Sequence, residues 1–307
     1  MVHTFTLNPS LDMVVSVDHP EFGKTNRSYN ESIYPGGKGL NVSFVLTDLG
    51  VENTAVYFAA GFVGEEITRL VSERGIKTCL LPLGSGVSRI NLKLRSPEGT
   101  EINGSGPEIS PEDEARLFEY LDSVKKDDYI VLSGSVPGTM KKDIYARMIR
   151  ALAGRDVHIV VDASGSLLEE ALEYRPFLVK PNRQELEELA GRRLDGREDI
   201  VEEAKKLQRR GAENVMVSLS GEGAVLVFGE ERVYYLGVPE GRLVNPVGAG
   251  DSMIAGFIAG YLQSGDQKQA FRTAVAAGSA CAYFEGFPTK DSIEEILTYW
   301  KADINED

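Results

Sequence analysis

Short apolar runs alternate with longer helical patterns along most of the chain. The runs are rich in β-branched residues and read VHTFTL (2–7), TAVYFAA (54–60), YIVLSG (129–134), VHIVVDAS (157–164), FLVKPN (177–182) and NVMVSLSG (214–221). Between them, apolar residues recur at helical spacing, as in Val42, Val45, Leu46 and Leu49. Strands and helices that alternate in this way form βαβ crossovers. The pattern therefore predicts an α/β fold with a doubly wound, mostly parallel sheet and helices on both faces.

One region departs from this alternation. Residues 88–106, SRINLKLRSPEGTEINGSG, alternate apolar and polar side chains on both sides of a PEGT turn, which is typical of a β-hairpin. With the polar stretch 17–29, this hairpin is expected to form a small β-sheet that projects from the main sheet as a lid. We therefore expect one domain over residues 1–307, with lid segments at 13–34 and 87–106 inserted in it.

Polar or small residues follow the predicted strands at their carboxyl ends. They are Asn8, Asp12, Ser133, Gly134, Ser135, Asp162, Lys180, Asn182, Ser218, Ser220 and Gly221. In doubly wound sheets the carboxyl ends of the strands meet at one edge, and ligands bind there. The convergence predicts a ligand site, and the glycines and lysines near it favour a ligand that carries phosphate.

The stretch NPVGAGD (245–251) joins a glycine loop to the apolar run SMIAGFIAGYLQSG (252–265). The run predicts a buried helix that ends at Gly265, and glycines before it permit a tight turn. The first N–H groups of such a helix lack intrahelical partners and attract anions. Asp251 stands at the same place, and from the residues alone a helix cap is its more common role.

Charge and missing motifs narrow the function. The 307 residues carry a formal charge of −14 without a basic block, which argues against nucleic-acid binding. No run approaches the length of a membrane span and no signal-peptide pattern begins the chain, so we expect a cytoplasmic protein. The two cysteines are far apart and the three histidines lack metal spacing. Dinucleotide, P-loop and serine-hydrolase motifs are also missing.

Two widely separated stretches resemble the signatures of the ribokinase-like (PfkB) carbohydrate kinases. They are YPGGKGLNVSFVLTDLG (34–50) and NPVGAGDSMIAGF (245–257). Six shorter stretches also occur in the order expected for this family, so the resemblance covers essentially the whole chain. They are TLNPSLD, RINLK, TEINGSGP, SGSVPG, VKPNRQE and VSLSGEGA. TLNPSLD and TEING are similar to a narrower branch, the 1-phosphofructokinases and tagatose-6-phosphate kinases. Pro246 departs from the pattern, because most of the family has Thr or Ser there.

The resemblance implies chemistry for the glycine loop. The N–H groups of Gly248, Ala249 and Gly250 would stabilise the charge on a phosphoryl group in transfer. Asp251 would accept the proton of the acceptor hydroxyl as a general base. With an ordinary aspartate pKa of about 3.9, this carboxyl group would be ionised at neutral pH.

The resemblance also implies two sets of binding residues. On the acceptor side they are Asp12, Gly36, Gly37, Lys38, Asn41, Arg27, Arg89, Asn103 and Ser135. On the nucleotide side they are Lys180, Asn182, Glu185, Ser218, Ser220, Gly221, Gly223 and Gly278. Arginine suits a phosphate, and lid arginines in so acidic a chain suggest a phosphorylated acceptor. Glu185 is expected to hold Mg²⁺ through water, and Gly278 either lines the adenine pocket or packs against a helix.

The leading interpretation is a kinase that uses ATP and Mg²⁺ to convert D-fructose 1-phosphate to D-fructose 1,6-bisphosphate. The first alternative is tagatose-6-phosphate kinase, which forms D-tagatose 1,6-bisphosphate; kinases of fructose 6-phosphate or of unphosphorylated sugars come third. A non-catalytic sugar-phosphate sensor is disfavoured because Asp251 and its loop are complete. A homodimer formed through the lid sheet is also expected.

Overall fold

The described part of the chain is residues 1–97 and 99–300 and the backbone of 305–306. In this computed structural model it forms a ten-stranded sheet and a four-stranded sheet. The strands are β1 (Val2–Thr6), β2 (Ser10–Ser16), β3 (Tyr29–Gly36), β4 (Asn53–Ala59), β5 (Lys77–Pro82), β6 (Arg89–Arg95), β7 (Thr100–Asn103), β8 (Tyr129–Ser133), β9 (His158–Asp162), β10 (Leu178–Val179), β11 (Asn214–Ser218), β12 (Ala224–Phe228), β13 (Arg232–Leu236) and β14 (Asn305–Glu306).

The helices lie between these strands and after them. They are α1 (Lys38–Asp48), α2 (Gly61–Glu73), α3 (Pro111–Leu121), α4 (Ile144–Ala151), α5 (Ser166–Leu172), α6 (Arg183–Ala190), α7 (Gly196–Arg209), α8 (Ala249–Ser264), α9 (Gln267–Tyr283) and α10 (Lys290–Tyr299). Within the described residues, no helix combines the length and the apolar character that a membrane span requires.

The large sheet has the order β14-β13-β12-β11-β10-β9-β8-β1-β4-β5. All neighbouring strands from β5 to β11 are parallel, and β12, β13 and β14 continue the sheet antiparallel to their neighbours. The predicted α/β fold with a mostly parallel sheet is confirmed. The strands β5, β12 and β13 of this sheet were not predicted from the sequence. The partly exposed residues of β5, at the sheet edge, lack the continuous apolar run of a buried strand, whereas β12 has such a run and was overlooked.

Helices cover both faces of the large sheet, because successive side chains of a strand point to opposite faces. In β8, Ile130 and Leu132 pack in the cluster formed with α3 to α7, whereas Tyr129 and Val131 pack in the cluster formed with α1, α8, α9 and α10. This arrangement places the carboxyl ends of β1, β8, β9, β10 and β11 side by side. The predicted convergence of polar residues at one edge is therefore confirmed.

The predicted buried helix is α8, which packs closely on α9. A Cβ on Gly256 would lie 2.7 Å from Thr273 O, and one on Gly260 would lie 2.9 Å from Ala270 Cα. Only glycine permits this approach of the two backbones. The helix ends at Gly265, which adopts the left-handed conformation with φ of 64°.

The four-stranded sheet is the lid, and its strands have the order β3-β2-β6-β7. The predicted hairpin is present as β6 and β7, and its turn includes residue 98, which lies outside the described residues. The lid begins at Ser10, earlier than the predicted boundary near residue 13, and residues 17–28 connect β2 to β3 without forming a strand. Asp12 therefore lies inside a lid strand.

The two faces of the lid differ in chemistry. Asp12 pairs with Asn91, and Asn91 pairs with Asn103, so these side chains share a polar face. The opposite face carries Met13, Ile33, Ile90, Leu92 and Ile102. On that apolar face, Ile33, Ile90 and Ile102 are 49%, 44% and 57% exposed.

Gly223 closes the tight turn between β11 and β12, and its backbone leaves no room for a side chain. Its φ is 101°, and a Cβ there would lie 1.9 Å from Leu236 O. We expect Gly223→Ala to lower the free energy of unfolding by about 3 kcal/mol or more, measured by urea denaturation.

The matched control is Gly221→Ala in the same turn. A Cβ on Gly221 would meet no atom within 4 Å, so its effect should stay within about 0.5 kcal/mol. Equal effects of the two substitutions would contradict a backbone role for Gly223.

Candidate active site

Asp251 lies in the first turn of α8, at the carboxyl edge of the large sheet. Its side chain is only 6% exposed, and Asn41 Nδ2 donates a hydrogen bond to Asp251 Oδ2 at 2.7 Å. Gly248 precedes the helix in the left-handed conformation, with φ of 88°, and turns the chain into it. The loop thus holds a buried carboxyl group at a helix N-terminus with one amide donor on it.

Free N–H groups surround this helix start, but they differ from the expected set. Ala249 N–H donates to Pro246 O at 3.2 Å and is satisfied. The N–H groups of Gly248, Gly250 and Asp251 make no hydrogen bond with any residue in the ranges 1–97 and 99–300. Unpaired N–H groups at a helix N-terminus bind anions. The free N–H groups that could bind an anion therefore include that of Asp251 in place of the Ala249 N–H predicted from the sequence.

Two lysines and a second buried carboxylate lie beside Asp251. Asp162, at the end of β9, is 1% exposed; its Oδ1 accepts from Lys38 Nζ at 3.2 Å and lies 3.5 Å from Lys180 Nζ. Its other oxygen, Oδ2, is buried and has no hydrogen-bond partner within the described residues. A Cβ on Gly250 would lie 3.1 Å from Lys180 Nζ, so this ammonium group lies against the start of α8.

Asn182 and Glu185 form a capping box at the start of α6. Asn182 Oδ1 accepts from Glu185 N at 2.8 Å, and Glu185 Oε2 accepts from Asn182 N at 2.9 Å. The remaining oxygen, Glu185 Oε1, lies 3.9 Å from Lys38 Nζ. The motif therefore serves helix geometry and still presents one carboxylate oxygen to the lysine cluster.

Two cavities flank the segment that carries Gly36, Gly37 and Lys38. The larger, about 560 Å³, is lined by residues that include Lys38, Arg89, Ser135, Lys142 and Glu185. The smaller, about 420 Å³, is lined by residues that include Asp12, Gly36, Asn41, Lys93 and Phe287. A Cβ on Gly36 would lie 2.6 Å from Asp12 Oδ1, so glycine lets the lid strands meet here.

Lid residues hold Asp12 in place. Asp12 Oδ1 accepts from Ser10 Oγ at 2.7 Å and from Asn91 Nδ2 at 2.9 Å, and Lys93 Nζ lies 3.5 Å from Asp12 Oδ2. Arg89 Nε donates to Asn8 O at 3.0 Å. The polar face of the lid thus presents a fixed carboxylate and an anchored guanidinium group to the cavities.

Comparison with known proteins identifies the family of the chain. Residues 8–286 match the pfkB family of carbohydrate kinases. The chain belongs to that family. A pfkB kinase of Bacillus subtilis, 1-phosphofructokinase, is 42% identical to it over 97% of each chain. D-Tagatose-1-phosphate kinase of Bacillus licheniformis is 32% identical over 97% of this chain and 98% of the relative.

A solved pfkB-type structure agrees in fold. Phosphofructokinase-2 of Escherichia coli, in complex with fructose-6-phosphate and in a tetrameric inhibited form, has a TM-score of 0.89 and 28% identity in both cases. Each comparison covers 97% of this chain and 98% of that chain. The family and ribokinase-like fold expected from the two signatures are confirmed, and the protein is a phosphotransferase for which ATP is the donor.

Most of the predicted site residues of this pfkB kinase come together. Those around the lysine cluster and the two cavities are Asp12, Gly36, Gly37, Lys38, Asn41, Arg89, Ser135, Lys180, Asn182, Glu185, Gly248, Gly250 and Asp251. Asn103 is exposed at the end of β7, opposite Asn91. Ser218 ends β11, and Ser220 and Gly221 lie in the 3-10 turn after it. Their nucleotide roles stay predictions.

Arg27 lies away from the other residues predicted for the acceptor, and Gly278 lies in one of the two environments predicted for it. Arg27 is in the exposed connection that follows the last residue of β2, Ser16. Arg89 pairs with the first residue of β2, Ser10. Within one chain, Arg27 is therefore at the opposite end of the lid from Arg89 and the larger cavity. Gly278 is buried between helices, where a Cβ would lie 2.6 Å from Met253 Cγ. This position gives it a helix-packing role, the second of the two predicted.

The sequence analysis noted Asp162 only as a polar strand end, and it missed Lys93 and Lys142. Asp162 carried a usable signal, because a carboxylate that follows the buried apolar residues Ile159, Val160 and Val161 in a parallel strand needs a charged partner. Lys93 and Lys142 looked like ordinary surface lysines, and only the lid and the loop before α4 place them on the cavities.

The protonation of Asp251 corrects an expectation. Burial, together with the negative charge of Asp162, raises the pKa of Asp251 to about 7, although Lys38, Asn41 and Lys180 act in the opposite direction. An ordinary value near 3.9 does not apply to this environment. A carboxylate with a pKa close to neutral pH is a stronger base, so the shift suits proton abstraction.

Lys38 and Asp162 stay charged together. Burial lowers the pKa of Lys38, but the carboxylates of Asp162, Asp251 and Glu185 outweigh it and the net pKa is raised. Burial raises the pKa of Asp162, and the charges of Lys180 and Lys38 outweigh this, so the net pKa is lowered. The lysines thus neutralise Asp162, and Asp251 is left as the carboxyl group whose pKa lies near neutral pH.

The acid limb of the pH dependence of kcat/KM for the acceptor should report Asp251 in the free enzyme. Asp162→Asn removes a like charge, so the pKa of Asp251 falls and the base stays ionised at lower pH. We expect the acid limb to move to lower pH by roughly one to three units.

Asp127→Asn is the control, since Asp127 is exposed in the turn before β8 with φ of 63°, a conformation that Asn tolerates. Its profile should match that of the wild type. An acid limb that stays in place in Asp162→Asn, or moves to higher pH, would contradict the assignment.

Proposed function

We propose that this protein transfers the γ-phosphoryl group of ATP to the 6-hydroxyl of D-fructose 1-phosphate, forming D-fructose 1,6-bisphosphate and ADP. The observation that carries the proposal is Asp251, a buried carboxyl group of raised pKa beside free N–H groups and Lys180. The 42% identity to a 1-phosphofructokinase over 97% of each chain supports the acceptor.

In the reaction, a new oxygen–phosphorus bond forms as the bond between the γ-phosphorus and the ADP oxygen breaks. Asp251 takes the proton of the acceptor hydroxyl, and the N–H groups of Gly248, Gly250 and Asp251 stabilise the charge on the phosphoryl oxygens. Asn41 holds Asp251 Oδ2, which leaves Oδ1 for the acceptor hydroxyl. Lys180, next to Gly250, adds a positive charge at the same place.

The oxygen donors near Lys38 fit a magnesium ion. The described residues contain no group of three or more His, Cys, Asp or Glu side chains that forms a metal site. Asp162 Oδ2 is buried without a hydrogen-bond partner, and Glu185 Oε1 is outside the capping box. We assign these two oxygens to the holding of Mg²⁺, Glu185 through water, with water and nucleotide phosphates as the ligands of the ion. When bound, the ion would neutralise charge on the nucleotide phosphates.

The acceptor has complementary groups on the lid. Arg89 is held through Nε, and its terminal NH₂ groups make no hydrogen bond within the described residues. They suit the acceptor phosphate, together with Ser135 of the same cavity. Asp12 and Asn41, which line the other cavity, suit sugar hydroxyls.

A second acceptor has support from the comparisons. The relative named D-tagatose-1-phosphate kinase is 32% identical over 97% of this chain. D-Tagatose 1-phosphate differs from D-fructose 1-phosphate only in the configuration at C4. Both relatives therefore point to a ketohexose 1-phosphate, in contrast to the 6-phosphate of the first alternative considered from the sequence.

We expect kcat/KM, measured by coupled ADP release, to be highest for D-fructose 1-phosphate, by about tenfold or more over D-tagatose 1-phosphate, D-tagatose 6-phosphate and D-fructose 6-phosphate. Asp251→Asn keeps the shape of the site but removes the base, so turnover should fall by roughly two to four orders of magnitude. Calorimetry should show that this variant still binds the acceptor.

Preference for a 6-phosphate would overturn the proposed acceptor. Turnover of Asp251→Asn at the wild-type rate would overturn the proposed base. Acceptor binding without turnover in the wild type would favour a sensor.

We also propose a homodimer formed through the apolar face of the lid. Ile33, Ile90 and Ile102 lie exposed on one flat sheet face, and exposed apolar patches of this kind mark protein interfaces. A copy of the same apolar face is a suitable partner for these residues.

We expect the wild type to sediment as a dimer and Ile102→Asp to sediment as a monomer, because a buried unpaired carboxylate is costly at an interface. Leu262→Asp is the control, since Leu262 is 50% exposed on α8, outside the lid. A monomeric wild type, or dissociation by Leu262→Asp as well, would contradict the proposed interface.

A further inference from the structure

Within the described residues, two cations of the larger cavity form no ion pair with a carboxylate, and the charge of Asp12 acts on one of them, Arg89, only from a distance. Arg89 uses only its Nε, which donates to Asn8 O at 3.0 Å. Lys142 is exposed and makes no hydrogen bond or ion pair within residues 1–97 and 99–300. Lys38, the third cation of this cavity, is paired with Asp162 at 3.2 Å. In a chain of net charge −14, two unpaired cations on one cavity indicate an anionic ligand.

Hydroxyl groups on the same cavity strengthen this reading. Ser133 and Ser135 line it from the end of β8, and Ser164 and Ser166 line it from the loop and helix after β9. Ser133 is 1% exposed, and its Oγ has no hydrogen-bond partner among the described residues. A buried hydroxyl without a partner costs free energy unless a ligand or water satisfies it. The cavity wall is thus built for a polar ligand.

Hydrogen bonds hold the loop before α4, which carries Lys142, in place. Tyr145 OH donates to Gly134 O at 3.1 Å, Met140 N donates to Pro137 O at 3.0 Å, and Ile109 N donates to Thr139 Oγ1 at 3.0 Å. The neighbouring Lys141 lines a different groove, between α3 and α4. Two adjacent lysines therefore serve two different surfaces, and only Lys142 belongs to the cavity with Arg89.

We propose that Lys142 is a specificity-determining residue that binds the phosphate of the acceptor together with Arg89 and Ser135. The inference rests on the proposed function. The transferred phosphoryl group belongs at the start of α8, beside Lys180, whereas Lys142 lines the larger cavity from the segment between β8 and α4; Lys180 is not among the residues that line this cavity. Unphosphorylated sugars leave both cations without a counter-charge, so this pair selects acceptors that already carry phosphate.

The test compares Lys142→Ala with the wild type. A charge-assisted hydrogen bond to phosphate is lost, so KM for D-fructose 1-phosphate should rise roughly 10- to 100-fold. KM for ATP should change by no more than about twofold, because the substitution leaves the nucleotide contacts intact. Lys142→Arg keeps the charge and should restore most of the affinity. Lys141→Ala, the matched control, should behave as the wild type.

Three results would overturn the inference. They are an unchanged KM for the acceptor in Lys142→Ala, an equal rise of KM for acceptor and ATP, and the same effect in Lys141→Ala. Equal rises would assign Lys142 to the nucleotide phosphates instead.

Calorimetry with inorganic phosphate separates this inference from the proposed function. Weaker phosphate binding by Lys142→Ala, in a protein that turns over no sugar phosphate, would support the anion subsite and contradict the proposed function. Normal turnover of D-fructose 1-phosphate, with phosphate binding and KM unaffected by Lys142→Ala, would support the function and overturn the role of Lys142.

Discussion

Two buried carboxylates share one pair of lysines at the edge of the sheet, and the chemistry depends on how these charges are divided. Asp162 takes both ammonium groups, at 3.2 Å from Lys38 and 3.5 Å from Lys180. Asp251 has only the amide of Asn41 on its Oδ2. A buried charge without a cationic partner is unfavourable, so Asp251 holds its proton more tightly than an ordinary aspartate. The same unequal division pairs one carboxylate with the lysines and gives the other the raised pKa that suits the proposed base.

The two faces of the lid differ, and only the polar face is turned toward the cavities beside this cluster. The polar face fixes Asp12 by hydrogen bonds from Ser10 and Asn91 and presents Arg89 to the larger cavity. The apolar face leaves Ile90 and Ile102 exposed. Because strand side chains alternate between faces, the residues proposed to bind the sugar phosphate and the residues of the proposed dimer interface come from the same strands. In the proposed dimer, assembly would therefore brace the strands that form the acceptor site.

Several residues that belong to stretches resembling functional signatures also stabilise the local backbone structure. Asn182 and Glu185 cap α6 through a reciprocal pair of hydrogen bonds. Gly223 adopts a left-handed conformation beside Leu236 O, and Gly278 admits Met253 between two helices. In such cases the motif indicates that the backbone needs these residues. Only their contacts in the folded protein indicate whether they can also bind a ligand.

The sequence by itself determined the alternation of strands and helices that gives the parallel part of the sheet, the hairpin of the lid, the glycine loop before α8 and the family. Each of these signals lies within a short window or a contiguous signature, where periodicity and turn residues act locally. Only the tertiary structure decided the pKa of Asp251, the partners of Asp162 and the position of Lys142. These properties arise where β8, β9 and β10 end beside α1 and α8, which are far apart along the chain. Electrostatic interactions act through space and change with burial, so no local pattern of residues could have fixed them.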